Sequence, residues 1–235
     1  MGLTLAVVAI VSGALIVGAL WGVYGKLNGR VEGFIVALAG GALLLSLVTE
    51  LIEPTIEKST TTTAVLGVAV GAVLFTVIDY LIDEKWGSNS GGGLLAAVTT
   101  DGIPENLALG VALIGAGPKE VAALGASILL SNLPEAASGA RSMRENQKMG
   151  KGKVVAVWAG TALILSLAAI VGNVVFASLN EDLLGFVRCI AAGAVVASLA
   201  TEVFPKAYKE DSTFAGIATA LGLLFALMLG QMSGG

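Results

Sequence analysis

The sequence has no histidine, a single cysteine (Cys189) and few charged residues, which make up 13% of its 235 residues. The absence of histidine removes the commonest transition-metal ligand and the usual proton carrier at neutral pH. A lone cysteine excludes a disulfide within the chain. Soluble domains carry about 25% charged residues, so the composition excludes an ordinary water-soluble enzyme. A net charge of -4 without a dense basic run excludes a nucleic-acid binder.

Hydrophobic residues make up 56% of the chain and fall in long runs between short polar connections. A helix needs roughly 20 apolar residues to cross a hydrocarbon core of about 30 Å. We therefore predict an all-α, polytopic membrane helix bundle with about eight transmembrane helices in a single domain, residues 1–235. The predicted spans are residues 3–24, 33–52, 63–82, 92–115, 121–140, 154–179, 183–204 and 214–230. The first is predicted to be a retained helix, because it lacks the flanks of a signal peptide.

The basic residues predict the orientation, because Lys and Arg near the ends of a span resist translocation. With the N-terminus outside, the inner loops hold ten basic residues, the outer loops hold Lys58 and Lys119, and Arg188 lies within the seventh span. We therefore expect both termini to be extracytoplasmic. The expected location is the cytoplasmic membrane of a prokaryote, with membrane lipid around the bundle.

The chain contains an internal repeat. Residues 33–50 read GFIVALAGGALLLSLVTE and residues 185–202 read GFVRCIAAGAVVASLATE, with nine identical positions at a constant offset. Similar composition alone explains this match less well than a true repeat, because both copies end on Ser-Leu-x-Thr-Glu. In the predicted topology the two copies run in opposite directions across the membrane. Such inverted repeats are typical of secondary transporters, and here they indicate a 3+2+3 arrangement around a central pair of spans.

The two central spans carry the polar residues of the bundle. Span four holds DGIPEN at residues 101–106, and span five holds SNLPEA at residues 131–136. An ionisable residue at mid-membrane depth costs about 2.5 to 3.5 kcal/mol, so several of them need a compensating partner. A bound cation is the simplest partner. The proline in each motif also predicts a broken helix, with the carbonyls of Thr100 and Leu130 freed as further ligands.

Helical spacing places the oxygen-bearing side chains of each motif on one face, since residues four apart are neighbours. The predicted metal ligands are Asp101, Glu105, Asn132 and Glu135, with Ser131 as a secondary ligand. The alternative is that the carboxyl groups are protonated, hydrogen-bonded packing elements and that the prolines merely kink the helices.

Three further acidic residues lie in apolar surroundings. Glu50 and Glu202 end the two repeats, and we interpret them as symmetric structural or interface residues rather than ligands. Asp79 lies near the inner end of span three, where it either anchors that end or serves an exit path. An intramembrane enzyme that uses Asp79 and Asp101 as an acid pair is disfavoured, because the two residues are predicted at different depths. We therefore predict no enzymatic activity.

This arrangement resembles the ZIP (Zrt/Irt-like) divalent-metal transporters over nearly the whole chain. DGIPEN is similar to the H-N-x-P-E-G motif of the family's fourth helix, with Asp in place of His, and SNLPE is similar to the fifth-helix counterpart. The ends of spans two and seven, residues 49–54 and 201–205, also resemble the family's Glu-x-x-Pro helix ends. The resemblance implies an elevator-like carrier, in which spans one, four, five and six move past a scaffold that commonly dimerises.

The predicted function is an integral membrane carrier that moves divalent metal cations through a midplane carboxylate site between helices four and five, as a homodimer. A site made of oxygen ligands alone suits Mn, Mg, Ca or ferrous iron. The resemblance adds Zn and Cd, so the candidate substrates include Mn, Fe, Zn, Mg and Cd. The alternative is a transport-inactive relative that binds a cation for sensing or stability.

Overall fold

The computed structural model describes the backbone of residues 2–25, 28–86, 91–117 and 121–233. These residues form helices and turns and contain no strand, which confirms the predicted all-α class. Lys26 and Lys119, which enter the predicted orientation, lie outside the described residues.

Ten α-helices follow one another in the described part of the chain. They are α1 (Gly2–Tyr24), α2 (Gly29–Leu47), α3 (Glu53–Lys58), α4 (Thr61–Trp86), α5 (Gly91–Ala112), α6 (Ala122–Glu145), α7 (Lys151–Val175), α8 (Glu181–Ser198), α9 (Phe204–Glu210) and α10 (Ala215–Ser233). The predicted spans lie on these helices, with differences at their ends. Helix α5 stops at Ala112, before the predicted end at Gly115, which has a φ of 73° that glycine tolerates.

Within the described residues, five helical segments are long and apolar enough to cross a membrane: Thr4–Tyr24, Gly29–Lys58, Thr61–Ile82, Lys151–Ser178 and Glu181–Glu210. Helix α10 adds a shorter apolar stretch, Ala215–Gln231. Large apolar side chains such as Val65, Leu163 and Met228 point outward from these helices. An outer surface of this kind is typical of helices that face lipid, and the chain is therefore a helical membrane protein.

Both repeats contain a five-residue turn of π-helix at their Thr-Glu ends. Val48–Ile52 joins α2 to α3, and Leu199–Val203 joins α8 to α9. Pro54 and Pro205 follow closely, and a proline has no N–H for the carbonyl four residues earlier. The hydrogen bonds shift accordingly, so that the N–H group after each turn bonds to the carbonyl of the turn's first residue. The two repeats therefore share an uncommon local structure as well as a sequence pattern.

The helix contacts follow the repeat. Helix α2 packs against α10 and α9, and α8 packs correspondingly against α4 and α3. Helices α1, α5, α6 and α7 pack on one another in a second group. The two groups meet where α2 lies on α6 and where α8 lies on α5, and the largest hydrophobic cluster fills this junction. Each contact of the first repeat therefore has an equivalent in the second: the contact of α2 with α6, for example, corresponds to that of α8 with α5.

Glycines allow the closest helix contacts within each repeat. Gly41 in α2 faces the backbone carbonyl of Thr219 in α10, and its repeat equivalent, Gly193 in α8, faces that of Val68 in α4. A Cβ atom at either position would overlap with the facing carbonyl oxygen. Small residues at these points let the backbones approach closely, as is common in membrane helix pairs.

Candidate cation site

Helices α5 and α6 contact each other and contain the two Pro-Glu motifs. Both helices continue through their prolines, Pro104 and Pro134. The prediction that these prolines break the helices is therefore wrong. Each proline removes a single backbone hydrogen bond, and membrane helices commonly continue through such a residue.

A cavity of about 400 Å³ opens beside the two motifs. We call it the carboxylate cavity, and its polar lining includes Asp101, Glu105, Ser131, Glu135, Glu202 and Lys206. Four of the five predicted ligands thus line one space. The spacing of four residues explains this result, because Asp101 and Glu105 lie one turn apart on α5, and Ser131 and Glu135 lie one turn apart on α6.

Asp101 is fixed by residues of the second repeat. The residue is 9% exposed, and its Oδ1 accepts a hydrogen bond of 3.0 Å from Oγ of Ser198 in α8. Glu202, one turn further along the second repeat, lies close to Asp101 and lines the same cavity. The end of the second repeat therefore forms one wall of the predicted site.

Glu202 lines the cavity, although the sequence favoured a structural role for it. Its carboxyl group lies close enough to Asp101 on α5 and Asp79 on α4 to interact electrostatically with both. In the sequence, the Thr-Glu ending of the repeat was the signal that pointed to Glu202. The sequence of one helix does not show which neighbouring helix its glutamate side chain contacts.

Glu105 and Glu135 complete the acidic lining of the cavity. Glu105 is only 4% exposed, and its charge interacts with that of Glu135. Glu135 is half-buried and also interacts with the charge of Lys206. Two glutamates on facing helices thus lie close enough to repel each other when both are ionised.

Asn132 does not line the cavity. It is 1% exposed, and its Nδ2 donates a hydrogen bond of 3.1 Å to the backbone carbonyl of Val11 in α1. One residue along a helix turns the side chain by about 100°, so a neighbour of Ser131 faces a different helix. In this structure Asn132 joins α6 to α1.

Lys206 brings a positive charge to the edge of the cavity. Its Nζ lies 3.6 Å from Oε1 of Glu32, and its side chain is 36% exposed. Glu32 itself is buried in α2. The lysine therefore balances part of the acidic charge from Asp101, Glu105, Glu135 and Glu202, and it lies where a bound cation would feel its repulsion.

The carboxylates share the cavity without a preformed metal cluster. In the described part of the chain, no three His, Cys, Asp or Glu side chains are grouped tightly enough to bind a metal ion. Carboxylate and hydroxyl oxygens nevertheless line the same space, and these are the ligands of hard divalent cations. The lining can attract such a cation, and closer coordination requires side-chain rearrangement.

A second cavity, of about 410 Å³, lies at the opposite end of α6. We call it the Glu50 cavity, and its lining includes Glu50, Glu57, Lys58, Val121, Ala123 and Arg188. Oε1 of Glu50 accepts a hydrogen bond of 2.9 Å from the backbone N–H of Leu124, and Oε2 is buried without a partner. Arg188 is 6% exposed, and its Nε has no hydrogen-bond partner. The sequence did not predict this cavity.

No known protein family matches the sequence when it is compared with family models, and no curated protein matches it. The functional assignment therefore rests on the residues and geometry of the chain itself.

Proposed function

We propose that this protein carries divalent metal cations across a membrane through the carboxylate cavity, as a divergent ZIP-like transporter. The observation that carries the proposal is the convergence of four acidic side chains on one cavity in a membrane helix bundle. Acidic side chains in such surroundings are costly, and a cation bound by several of them offsets the cost. The inverted repeat supports transport over simple binding, because related halves are typical of carriers.

The proposed ligands are Asp101, Glu105 and Glu135, with Ser131 as a further oxygen donor. Asn132 remains a proposed ligand through Oδ1, because its hydrogen bond to Val11 uses Nδ2. Glu202 joins the set because it lines the same cavity as Asp101. Oxygen ligands of this kind favour Mn²⁺, Mg²⁺ and Fe²⁺, and the ZIP resemblance adds Zn²⁺ and Cd²⁺.

The transport arrangement is also part of the proposal. It comprises eight spans in an inverted 3+2+3 order, extracytoplasmic termini, a homodimer and an elevator-like movement. The helix contacts support a moving group of α1, α5, α6 and α7 against a frame of α2, α4, α8 and α10, since each group packs mainly within itself. The excess of basic residues in the predicted inner loops supports the orientation.

Uptake of Mn²⁺ into proteoliposomes tests the proposal. Glu105→Gln and Glu135→Gln each remove a charge at nearly constant size, and each is expected to lower uptake about tenfold or more, because a lost carboxylate ligand costs over about 1.4 kcal/mol. The matched control is Glu145→Gln, an exposed residue of the same helix as Glu135, which should retain native uptake. Absence of uptake by the native chain, or native uptake in both variants, would contradict the proposal.

The alternative function is binding of a cation for sensing or stability without transport. Two sequence features favour it: the chain has no histidine, and residues 154–179, the predicted span six, contain no acidic residue. Isothermal titration of the detergent-solubilised protein, set beside the uptake assay, separates the two functions. A carrier predicts that the same ion both binds to the protein and crosses the membrane, for at least one of Mn²⁺, Fe²⁺, Zn²⁺, Mg²⁺ and Cd²⁺. The alternative function predicts binding without transport.

A further inference from the structure

The Glu50 cavity contains two opposite charges that do not pair with each other. Glu50 and Arg188 both line it, and neither forms an ion pair with any residue that the structure describes. Oε1 of Glu50 is instead held by the backbone N–H of Leu124. Opposite charges attract strongly where water is scarce, so their separation within one cavity leaves room for a molecule between them.

Each of the two charged groups has a buried atom without a partner. Oε2 of Glu50 and Nε of Arg188 make no hydrogen bond, and Arg188 as a whole is only 6% exposed. Glu181, on the exposed first turn of α8, also acts on the charge of Arg188, but it forms no ion pair with the arginine. Buried polar groups nearly always have a partner. The cavity therefore offers one unused donor and one unused acceptor of opposite charge to a ligand.

The frame of the bundle does not require an arginine at position 188. Its equivalent in the first repeat is Val36, which is buried to the same extent, at 6% exposed. An aliphatic side chain thus fills this position in one half of the frame. A charged side chain within a membrane helix is costly, and its usual role is in binding or transport. A ligand therefore explains Arg188 better than packing does.

The rest of the lining suits a small molecule that has an apolar part and no net charge. The volume of about 410 Å³ far exceeds the space of a single ion or water molecule. Apolar side chains of Ala112, Ile114 and Val121 line part of it. The exposed Glu57 and Lys58 add one charge of each sign, so the acidic and basic residues of the lining are balanced. A balanced lining fits a zwitterion better than a free anion or cation.

We infer that the Glu50 cavity binds an α-amino acid with an apolar side chain, whose carboxylate pairs with Arg188 and whose ammonium group pairs with Glu50. A guanidinium donates two parallel hydrogen bonds to a carboxylate. Oε2 of Glu50 accepts from the ammonium group, while Oε1 keeps its bond to Leu124. This site uses none of the proposed cation ligands, so the inference does not depend on metal transport.

Equilibrium binding of radiolabelled L-leucine to the detergent-solubilised native protein tests the inference. Isocaproate, which is leucine without its ammonium group, and isoamylamine, which is leucine without its carboxylate, are the matched competitors. We expect saturable leucine binding with a Kd of about 1 mM or lower. Each competitor should bind at least about tenfold more weakly than leucine, because it leaves Arg188 or Glu50 unpaired.

Three outcomes of this experiment would overturn the inference. Isocaproate that competes as well as leucine would indicate a simple anion site at Arg188. Isoamylamine that competes as well as leucine would indicate a cation site at Glu50. Absence of saturable leucine binding would show that the cavity does not bind an apolar amino acid.

Two variants assign the binding to this cavity. Arg188→Val introduces the residue of the first repeat, and Glu50→Gln keeps an oxygen that accepts the Leu124 hydrogen bond. Each should weaken leucine binding about tenfold or more, because one charge of the pair is lost. The matched controls, Arg141→Gln and Glu53→Gln, change exposed residues outside the cavity and should bind within about twofold of native.

Native leucine affinity in either cavity variant would overturn the inference. If a variant fails to fold, the comparison of leucine with its two analogues decides alone, because it uses the native chain. Leucine binding is measured without metal, so a failure of Mn²⁺ uptake would remove the proposed function and leave this result standing. Loss of leucine binding would likewise leave the proposed function intact.

Discussion

The carboxylate cavity and the Glu50 cavity are built on equivalent segments of the two repeats, but they hold different charges. Asp101, Glu105, Glu135 and Glu202 face Lys206 in the first cavity, whereas Glu50 and Glu57 face Lys58 and Arg188 in the second. The frame is therefore nearly symmetric, while the electrostatics are not. The excess negative charge comes from Asp101, Glu105 and Glu135 on the central helices, α5 and α6.

Val36 and Arg188 show the difference at a single repeat position. Val36 adds no charge to the carboxylate cavity, whereas Arg188 adds a positively charged guanidinium group to the Glu50 cavity. When its ionisable groups are charged, the lining of the first cavity is net negative, whereas that of the second is balanced. Under the proposed function, a cation is therefore held more strongly in the first cavity than in the second.

The largest effects are expected from substitution of the glycines at the closest helix contacts, which tests whether the two halves of the frame are equivalent. Gly41→Ala and Gly193→Ala each place a Cβ against a backbone carbonyl, and each is expected to lower the free energy of unfolding by about 1 to 3 kcal/mol. Thermal unfolding in detergent measures the loss. Gly160→Ala is the control, since its Cβ would meet nothing within 4 Å. A loss in one repeat without a loss in the other would contradict an equivalent frame.

Removing the guanidinium makes the two cavities more alike. Arg188→Val introduces the residue of the equivalent position and relieves a buried Nε without a partner. We expect the free energy of unfolding to rise by about 1 kcal/mol or more, because an unsatisfied buried polar group costs about 1 to 3 kcal/mol. The measurement is again thermal unfolding in detergent. A fall in stability would show that the guanidinium makes contacts that stabilise this end of the bundle.

Removing the lysine makes the two cavities less alike. Lys206→Gln takes a positive charge from the edge of the carboxylate cavity, so Mn²⁺ should bind more tightly. The gain should be roughly fivefold, about 1 kcal/mol, because the lysine is partly exposed and its repulsion is screened. Titration calorimetry measures it, with the exposed Lys209→Gln as the control. Equal or weaker binding by Lys206→Gln would mean that its charge does not reach the cation.

The smallest effect is expected outside both cavities. Arg141 and Glu145 form a pair of 3.0 Å on the exposed surface of α6. Glu145→Gln should lower the free energy of unfolding by less than about 0.5 kcal/mol, because exposed ion pairs contribute little. Thermal unfolding checks this value and sets the baseline for the cavity variants. A loss above 1 kcal/mol would indicate that this end of α6 depends on the pair.

Much of the fold was predictable because apolar length and helical spacing are local properties. The positions of Asp101, Glu105, Ser131 and Glu135 at one cavity follow from two such spacings. Contacts between distant helices were not predictable in the same way. Whether Glu202 reaches the cavity depends on the register of the second repeat against α5. Asn132 contacts α1 instead, because its side chain leaves α6 in a different direction from that of Ser131. The predicted helix breaks at Pro104 and Pro134 were wrong, because a proline removes one backbone hydrogen bond and the rest of the helix continues.

The π turns have a consequence for the parts of each repeat that follow them. A π turn accommodates one extra residue in a helix, and one residue corresponds to a rotation of about 100°. Every side chain after the turn is rotated by that amount relative to an uninterrupted α-helix. Deletion of one residue from Leu199–Val203 would undo this rotation and redirect Lys206 away from Glu32. A single inserted residue therefore determines the direction of every side chain in the helix end that follows it. The position of the Lys206 charge at the edge of the cavity depends on it as well.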